Sequence, residues 1–317
     1  MRFKIDKTKS ITHNDYWRYE FRKPNSNPLL ARLKRIFKFI INSLLLNKFG
    51  FRLVQVQKTP SFKTEQWSFT NNKEILFLRN QRIVDHLINF GFEFGLNFEK
   101  AQLHKNIERY DEIFRMGKIS DLNGGMGYNN GLLLYIILTY FNPQVVLESG
   151  VWRGFTTFLI DDATQDSSKI FCFDINLDRK EFTSNKASYF ESDLSLVDEI
   201  DFRLVDFAFF DDHVSIYERL LFCLENSIEI VVVDDDVAIT QVHSDGWPPI
   251  PTASMLYDYD NIPKQFGWTA RGVSASANIS GIKVNDICEF YNYIPFPNLA
   301  KYTGYKDSSY SSLLMKR

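Results

Sequence analysis

The sequence has few cysteines and no long apolar run. Its 317 residues contain three cysteines, Cys172, Cys223 and Cys288, which is an odd number at wide spacing. This pattern does not suit a disulfide framework or a zinc site of the CxxC type, and it favours a reducing compartment such as the cytoplasm. No stretch of about 18 apolar residues exists that would span a membrane. The first residues lack the apolar core of a signal peptide, so none is expected.

The sequence also lacks a large net charge, because two opposite surpluses cancel to −2. Residues 1–60 hold 14 Lys and Arg against three acids, whereas the remaining 257 residues carry 23 bases and 36 acids. A basic body that binds nucleic acid along its length is therefore disfavoured. The composition, 44% hydrophobic and 24% charged, is that of a globular protein.

The pattern along the chain predicts three parts. A basic lead with an amphipathic helix covers residues 1–60, a helical accessory region covers 61–123, and an α/β domain covers 124–317. In the lead, apolar residues recur at helical spacing over residues 29–46, and Lys and Arg lie mostly off that face. This helix either packs on the rest of the protein or makes a peripheral contact with an anionic membrane surface.

Short apolar strands alternate with helical stretches in the α/β part. The predicted strands are Val145–Ser149, Ile170–Asp174, Ser188–Ser192, Phe207–Asp211 and Glu229–Asp234. Because helices separate them, they favour an α/β fold with a doubly wound, mostly parallel sheet. Two later strands, near residues 279–284 and 288–294, are expected to form a closing hairpin.

Five acidic residues stand at or just past the ends of the predicted strands: Glu148, Asp174, Asp193, Asp211 and Asp234. The carboxyl ends of parallel strands lie on one edge of a sheet, and ligands bind in the crevice outside that edge. Each acid alone also suits a helix N-cap, which stabilises a helix by about 0.5–1 kcal/mol. As a set, the five acids predict a ligand site at this edge.

The first predicted strand runs into a glycine turn with the sequence ESGVWRG, residues 148–154. Its G-x-x-x-G spacing is neither the G-x-G-x-x-G of nicotinamide and flavin folds nor the G-x-x-x-x-G-K-[ST] of P-loop proteins. Glycine at this position lets the backbone approach a ligand closely. The acid before the turn repels pyrophosphate but suits a cationic or hydroxyl-bearing ligand.

This turn and the next strand, VVLESGVWRGFTTFLID followed by KIFCFDIN, resemble the cofactor-binding half of class I S-adenosylmethionine-dependent methyltransferases. The resemblance covers roughly residues 124–240 and implies a Rossmann-like fold with S-adenosylmethionine as cofactor. It implies that Glu148, Gly150 and Gly154 surround the methionine part and that Asp174 holds the ribose.

Two further contacts with this cofactor are expected beside the first motif. Asp193, after the third predicted strand, is placed to bind either an adenine amino group or the neighbouring backbone. The segment at residues 124–131 is expected to close over the cofactor, with Tyr128 and Asn129 as its contacts.

Two later segments, FAFFDDHVS and IEIVVVDDDV, add consecutive acids at the same edge. Clustered carboxylates repel one another unless they are protonated or bridged by a cation, and their oxygens suit Mg²⁺ or Ca²⁺. The arrangement is similar to that of macrocin-type sugar O-methyltransferases and cephalosporin-hydroxylase-like proteins. This resemblance implies a divalent metal, such as Mg²⁺, on Asp211, Asp235 and Asp236, with Asp212 and Asp234 as alternatives in register.

The sequence leaves alternative roles for two side chains near these acids. His213 directly follows Asp211 and Asp212, and it is either the base that acts with Asp211 in catalysis, a metal ligand, or an ordinary residue at a helix start. Trp247 lies in a polar, Pro-rich loop, where it is either a platform for a sugar ring or a buried anchor.

The patterns together predict a methyltransferase that acts on a hydroxyl of a sugar or another small polar molecule. One alternative is a hydroxylase-like metal enzyme of the same fold, because iron sites combine His with carboxylate. Another is a non-catalytic binding protein that retains the fold.

Residues 140–240 contain 21 acidic residues and seven basic ones, and this acidic surplus coincides with the predicted site.

Overall fold

The computed structural model describes residues 11–12, 72–116, 125–242, 247–270, 273–305 and 309–317. The predicted amphipathic helix at residues 29–46 lies outside these ranges. Within them, no helix is both long enough and apolar enough to cross a bilayer.

The order of elements follows the predicted alternation of strands and helices. The helices are α1 (Lys73–Phe94), α2 (Lys100–Met116), α3 (Gly127–Phe141), α4 (Phe155–Ala163), α5 (Ile216–Glu225), α6 (Ala253–Tyr257), α7 (Asn285–Phe290) and α8 (Ala300–Thr303). The strands are β1 (Ile11–Thr12), β2 (Val145–Ser149), β3 (Lys169–Phe173), β4 (Ala187–Phe190), β5 (Phe207–Phe210), β6 (Ile230–Val233), β7 (Gln265–Ala270), β8 (Val273–Asn278), β9 (Tyr291–Pro295) and β10 (Ser312–Lys316). The five strands predicted between residues 145 and 234 agree with β2 to β6 within two residues at each end.

The main sheet has the strand order β4-β3-β2-β5-β6-β10-β9. Neighbouring strands from β4 to β6 are parallel, whereas β10 is antiparallel to both β6 and β9. The predicted Rossmann-like, doubly wound and mostly parallel sheet is therefore confirmed. The order reverses between β2 and β5, and in such sheets the crevice at this reversal is where ligands bind.

The central strands are mostly apolar because helices cover both faces of the sheet. In β5, Phe207 and Phe209 pack with residues of α3 and α4. Ala208 and Phe210 point the other way and pack with residues of α5 and α6. Alternate side chains of one strand thus pack into the cores on the two faces of the sheet. Packing on both faces fixes where each strand ends at the edge of the sheet.

Helices α1 and α2 form the described part of the predicted accessory region. Their apolar residues, such as Leu87 and Ile107, share one core with α3, α4 and the segment around Leu299. A buried ion pair between Arg79 and Asp111 joins α1 to α2. These helices therefore pack on one side of the α/β core.

The predicted closing hairpin is wrong in its pairing. Residues 279–284 contain a turn, with Gly281 at φ +82°, and no strand. The antiparallel pair β7–β8 precedes that turn, and β1 adds to it in parallel as a small second sheet. The later prediction overlaps β9, which pairs with β10 at the edge of the main sheet. Local sequence marks an apolar strand but does not specify its partner.

Candidate functional site

The glycine turn lies against the loop that follows β5. Gly150 has φ +99°, and a Cβ at this position would lie 2.3 Å from the backbone oxygen of Asp211. The Asp211 amide donates a hydrogen bond of 2.8 Å to the carbonyl of Ser149. Gly154, at φ +85°, is the N-cap residue of α4. The two strand ends on either side of the sheet reversal are therefore in direct backbone contact.

Asp174 ties the end of β3 to this turn. Its Oδ2 accepts hydrogen bonds from the amides of Val151 at 2.9 Å and Trp152 at 2.7 Å. Its Oδ1 accepts one from the amide of Asn176 at 2.9 Å. Burial raises the pKa of Asp174, and these three amides oppose that rise. A carboxylate has about four acceptor sites, so one remains for a ligand such as the predicted ribose.

Glu148 lies beneath the turn and not in the crevice, which corrects its expected contact with the methionine part of the cofactor. Its side chain is fully buried, and its Oε2 accepts hydrogen bonds from Thr157 Oγ1 at 2.6 Å and Cys172 Sγ at 3.2 Å. Within the described part of the chain, its Oε1 has no hydrogen-bond partner. Burial raises the pKa of Glu148 to about 7, because an ionised carboxylate there loses its hydration.

Asp193 is held by a cation and by its own loop. Its Oδ2 accepts a hydrogen bond of 2.7 Å from Arg219, and its Oδ1 accepts one of 2.9 Å from the amide of Ser195. Partial burial alone would raise the pKa of Asp193, but the bonds from Arg219 outweigh it and hold the pKa at about 2. Of its two expected partners, an adenine amino group and the neighbouring backbone, the second is present.

Tyr128 and Asn129 are buried inside the protein, which corrects their expected contact with the cofactor. The Tyr128 ring stacks on Tyr305 with centroids 4.0 Å apart, and its hydroxyl donates to the buried Asp111. Asn129 donates to the carbonyl of Tyr305 at 3.0 Å. These two side chains therefore pin the segment after α8 to the start of α3.

Three side chains with metal-ligating atoms meet at the carboxyl ends of β5 and β6. Asp211, His213 and Asp235 each offer a ligand atom, and these atoms lie within 4.8 Å of one another. The Nδ1 atom of His213 is 3.2 Å from Oδ2 of Asp235. His213 and Asp235 both have left-handed backbone, at φ +55° and +54°, which is uncommon outside glycine. We name this set the Asp–His–Asp group.

Asp236 is not part of this group, although it was expected as a ligand. Its Oδ1 accepts a 2.7 Å bond from the amide of Ser254, and its Oδ2 accepts bonds from Tyr293 at 2.8 Å and from Ser312. Burial raises its pKa. Asp235 therefore belongs to the Asp–His–Asp group, whereas the side chain of Asp236 is buried among its hydrogen-bond partners.

Asp234 and Asp212, the alternative metal ligands, also accept hydrogen bonds from other residues of the protein. Asp234 accepts hydrogen bonds from Ser309 Oγ at 2.8 Å and Ser311 Oγ at 2.5 Å. Asp212 accepts from Ser149 Oγ at 2.5 Å and from Arg219 Nε at 2.8 Å. Both acids therefore join strand ends together.

Trp247 is a buried anchor and not an exposed sugar platform. Only 2% of its surface is exposed. Its ring centroid is 6.1 Å from that of Trp268, in a small core that β7 and β8 share. Of the two roles left open by the sequence, the structural one describes this side chain.

Two residues at this edge were missed by sequence reasoning. Arg219 is buried between Asp193 and Asp212, where helical periodicity gave no sign of a site. Ile175 is 48% exposed directly after Asp174, although isoleucine is usually buried. For Ile175, the available sequence signal was an apolar residue directly after an acid at a strand end.

Comparisons with known proteins give fold-level likenesses only. No family model and no curated protein matches the sequence. Among solved structures, the chain is similar to the O-methyltransferase TomG from Streptomyces achromogenes in complex with SAM, at 14% identity over 67% of this chain and 90% of that one, with a TM-score of 0.38. It is also similar to an O-methyltransferase from Bacillus cereus in complex with SAH, at 12% identity over 65% and 90%, with a TM-score of 0.39.

A third similar structure is CmcI with Mg and SAM, at 13% identity over 38% of this chain and 56% of that one, with a TM-score of 0.32. Identities and TM-scores this low carry no conclusion about activity. The strand order and registers of this chain establish its fold by themselves.

Gly150→Ala should destabilise the protein far more than Gly95→Ala. Both glycines have positive φ, at +99° and +75°, so both variants bear the left-handed strain of about 1–2 kcal/mol. Among the described residues, a Cβ at Gly95 meets nothing within 4 Å, whereas one at Gly150 meets backbone. Denaturant unfolding of both variants measures the difference. Equal losses would show that the β2–β5 contact is not tight.

Glu148→Gln should remove a pH dependence of stability. The folded pKa of Glu148 is about 7 against 4.5 for the free side chain, so the unfolded state loses the proton first. The free energy of unfolding of the wild type should therefore fall by about 3 kcal/mol between pH 4.5 and 7, at about 1.4 kcal/mol per pH unit. Denaturant unfolding across this range, with the exposed Glu225→Gln as control, checks it. A Glu148→Gln variant with the wild-type pH dependence would contradict the burial argument.

Proposed function

We propose that the protein is an S-adenosylmethionine-dependent methyltransferase that acts on a hydroxyl of a sugar or another small polar molecule, with a divalent metal in the Asp–His–Asp group. One observation carries this proposal: the glycine turn and the Asp–His–Asp group touch at the reversal point of the sheet. Gly150 approaches the backbone of Asp211 so closely that no Cβ would fit between them. A cofactor on the turn and an acceptor on the metal would thus be neighbours, and positioning dominates a displacement reaction.

The cofactor side of the crevice offers groups that suit a nucleoside. Asp174 retains an acceptor site for a ribose hydroxyl, and the exposed Ile175 offers an apolar surface for a base. The turn itself, at Trp152 and Arg153, is partly exposed. The sulfonium of S-adenosylmethionine carries a positive charge, which suits an edge with surplus carboxylates. S-Adenosylmethionine would supply an activated methyl group there.

The chemistry of the donor set fits a divalent cation. The three ligand atoms of the Asp–His–Asp group lie within 4.8 Å of one another, so Asp211, His213 and Asp235 would hold one cation between them. Two carboxylates favour Mg²⁺ or Mn²⁺, and the imidazole widens the range to borderline metals. A bound cation would lower the pKa of an acceptor hydroxyl.

His213 has one of two roles in this proposal. Its Nδ1 is 3.2 Å from Oδ2 of Asp235, so the imidazole lies directly beside that carboxylate. It serves either as the third ligand or as the base that takes the acceptor proton, and Asp211 and Asp235 bind the cation in both cases. A ligand role predicts weaker metal binding by His213→Ala, whereas a base role predicts normal metal binding and a changed pH profile of methyl transfer.

A hydroxylase-like metal enzyme is the second candidate, and the histidine in the Asp–His–Asp group is the observation that favours it. Iron sites of oxygenases use two His and one carboxylate, whereas this group has one His and two carboxylates. With two carboxylates and one imidazole, the group therefore favours harder metals such as Mg²⁺ and Mn²⁺ over iron. Oxygen consumption with Fe²⁺, measured beside methyl transfer with Mg²⁺, distinguishes the two activities.

Calorimetry should show that the wild-type protein binds S-adenosylmethionine or S-adenosylhomocysteine, and that Asp174→Ala weakens binding at least tenfold. The variant loses both the ribose acceptor and the bonds that hold the turn. Asp178→Ala, at an exposed acid four residues away, is the matched control and should bind normally. No binding of either compound by the wild type would overturn the proposed cofactor.

Mn²⁺ should bind the wild type, and Asp235→Asn should lower its affinity by about tenfold or more, because one anionic ligand becomes a neutral amide. Asp166→Asn is the control, since its side chain is fully exposed and precedes β3, at the opposite end of that strand from the crevice. Titration of Mn²⁺ by electron paramagnetic resonance measures free metal directly. Equal affinities of the Asp235→Asn and Asp166→Asn variants would contradict this metal site.

A further inference from the structure

Arg219 is a buried cation that spans two loops of the crevice. Its side chain is 4% exposed and projects from α5. Its Nη2 is 2.7 Å from Oδ2 of Asp193, in the loop after β4, and its Nε donates to Oδ2 of Asp212 at 2.8 Å, in the loop after β5. A guanidinium is planar and offers five donors in a fixed fork, so it sets the relative position of the two carboxylates.

Asp212 carries this restraint into the Asp–His–Asp group. It lies in sequence between Asp211 and His213, and its side chain is only 12% exposed. Its Oδ2 also accepts from Ser149 Oγ at 2.5 Å, and its Oδ1 accepts from the amide of Val214 at 3.1 Å. These three hydrogen bonds anchor the loop on which Asp211 and His213 flank Asp212.

The backbone at His213 explains why such a restraint is needed. Its φ of +55° is a conformation that side chains rarely adopt, and it persists only where the surroundings over-determine it. The residue before it is Asp212, bound by Arg219 and Ser149. Without this clamp, we expect residue 213 to relax toward ordinary backbone and its imidazole to leave Asp235.

We propose that Arg219 is a positioning residue that presets the Asp–His–Asp group for metal and couples it to the cofactor side of the crevice. This inference rests on the proposed function. The coupling path is short: a ligand that orders the loop of Asp193 restrains Arg219, and Arg219 restrains Asp212 between two of the metal ligands. Cofactor and metal therefore bind with positive cooperativity, and each raises the affinity of the other by the same factor.

The experiment measures two affinities and their coupling in four proteins. Mn²⁺ is titrated alone and with saturating S-adenosylhomocysteine, into the wild type, Arg219→Met, Arg219→Lys and Arg203→Met. Arg203 is the matched control, because it is 76% exposed and pairs with Asp201 only two residues away. Circular dichroism and thermal unfolding show whether each variant is folded.

The expected results distinguish the effect of the positive charge at residue 219 from the effect of the guanidinium geometry. Arg219→Met weakens Mn²⁺ binding at least tenfold and abolishes the effect of S-adenosylhomocysteine on it. Arg219→Lys regains part of the Mn²⁺ affinity because it keeps the charge, but not the coupling, since one ammonium lacks the fork that spans both carboxylates. Arg203→Met matches the wild type in both measurements.

The outcomes that overturn the inference differ from those that overturn the proposed function. A wild type that binds neither Mn²⁺ nor S-adenosylhomocysteine overturns both. A wild type that binds both, with a folded Arg219→Met that keeps its affinity and coupling, overturns the role of Arg219 alone. If Arg219→Met does not fold, Ser149→Ala decides, because it removes one hydrogen bond to Asp212. About threefold or greater loss of Mn²⁺ affinity supports the clamp, and an unchanged affinity overturns it.

Discussion

The backbone contact between the ends of β2 and β5 is the constraint on which the rest of the site depends. Gly150 has no Cβ, so the loop after β5 comes within contact of the glycine turn, and the Asp211 amide closes the gap by a bond to Ser149. This happens where the strand order reverses, the place where such sheets bind ligands. The glycine turn and the Asp–His–Asp group thereby lie side by side at this edge of the sheet, where the proposed cofactor and metal would be neighbours.

The acids at this edge divide into two kinds. Asp174, Asp193, Asp212 and Asp236 accept hydrogen bonds from backbone amides, and the last three also from side chains, so they hold the strand ends and loops in place. Asp211 and Asp235 lie with His213 at the surface of the crevice. Part of the acidic surplus between residues 140 and 240 therefore holds strand ends and loops in place, and part lies in the candidate site. The buried cation Arg219 lies between two of these acids, Asp193 and Asp212, and offsets their mutual repulsion.

The sequence predicted the fold well because its signals are local. Apolar runs of four or five residues between helices located β2 to β6 within two residues, and the acids at their ends marked one edge. Strand pairing is not local, so the late hairpin was assigned to the wrong segments. The direction of a side chain after a strand depends on φ, and the left-handed residues at 213 and 235 could not be read from sequence. The resemblance implied Asp236 as a ligand, and the role of His213 stayed open. The buried roles of Tyr128, Asn129 and Glu148 were missed because they depend on contacts between distant segments, such as that of Tyr128 with Tyr305.

The central claim is that cofactor and metal share the crevice beside Gly150. Crystals soaked with S-adenosylhomocysteine and Mn²⁺ test it most directly, because the anomalous signal of manganese distinguishes it from water and lighter ions. The account predicts an anomalous peak within ligand distance of Asp211, His213 and Asp235, and a nucleoside whose ribose contacts Asp174. A peak elsewhere, or a nucleoside bound away from the glycine turn, would contradict it.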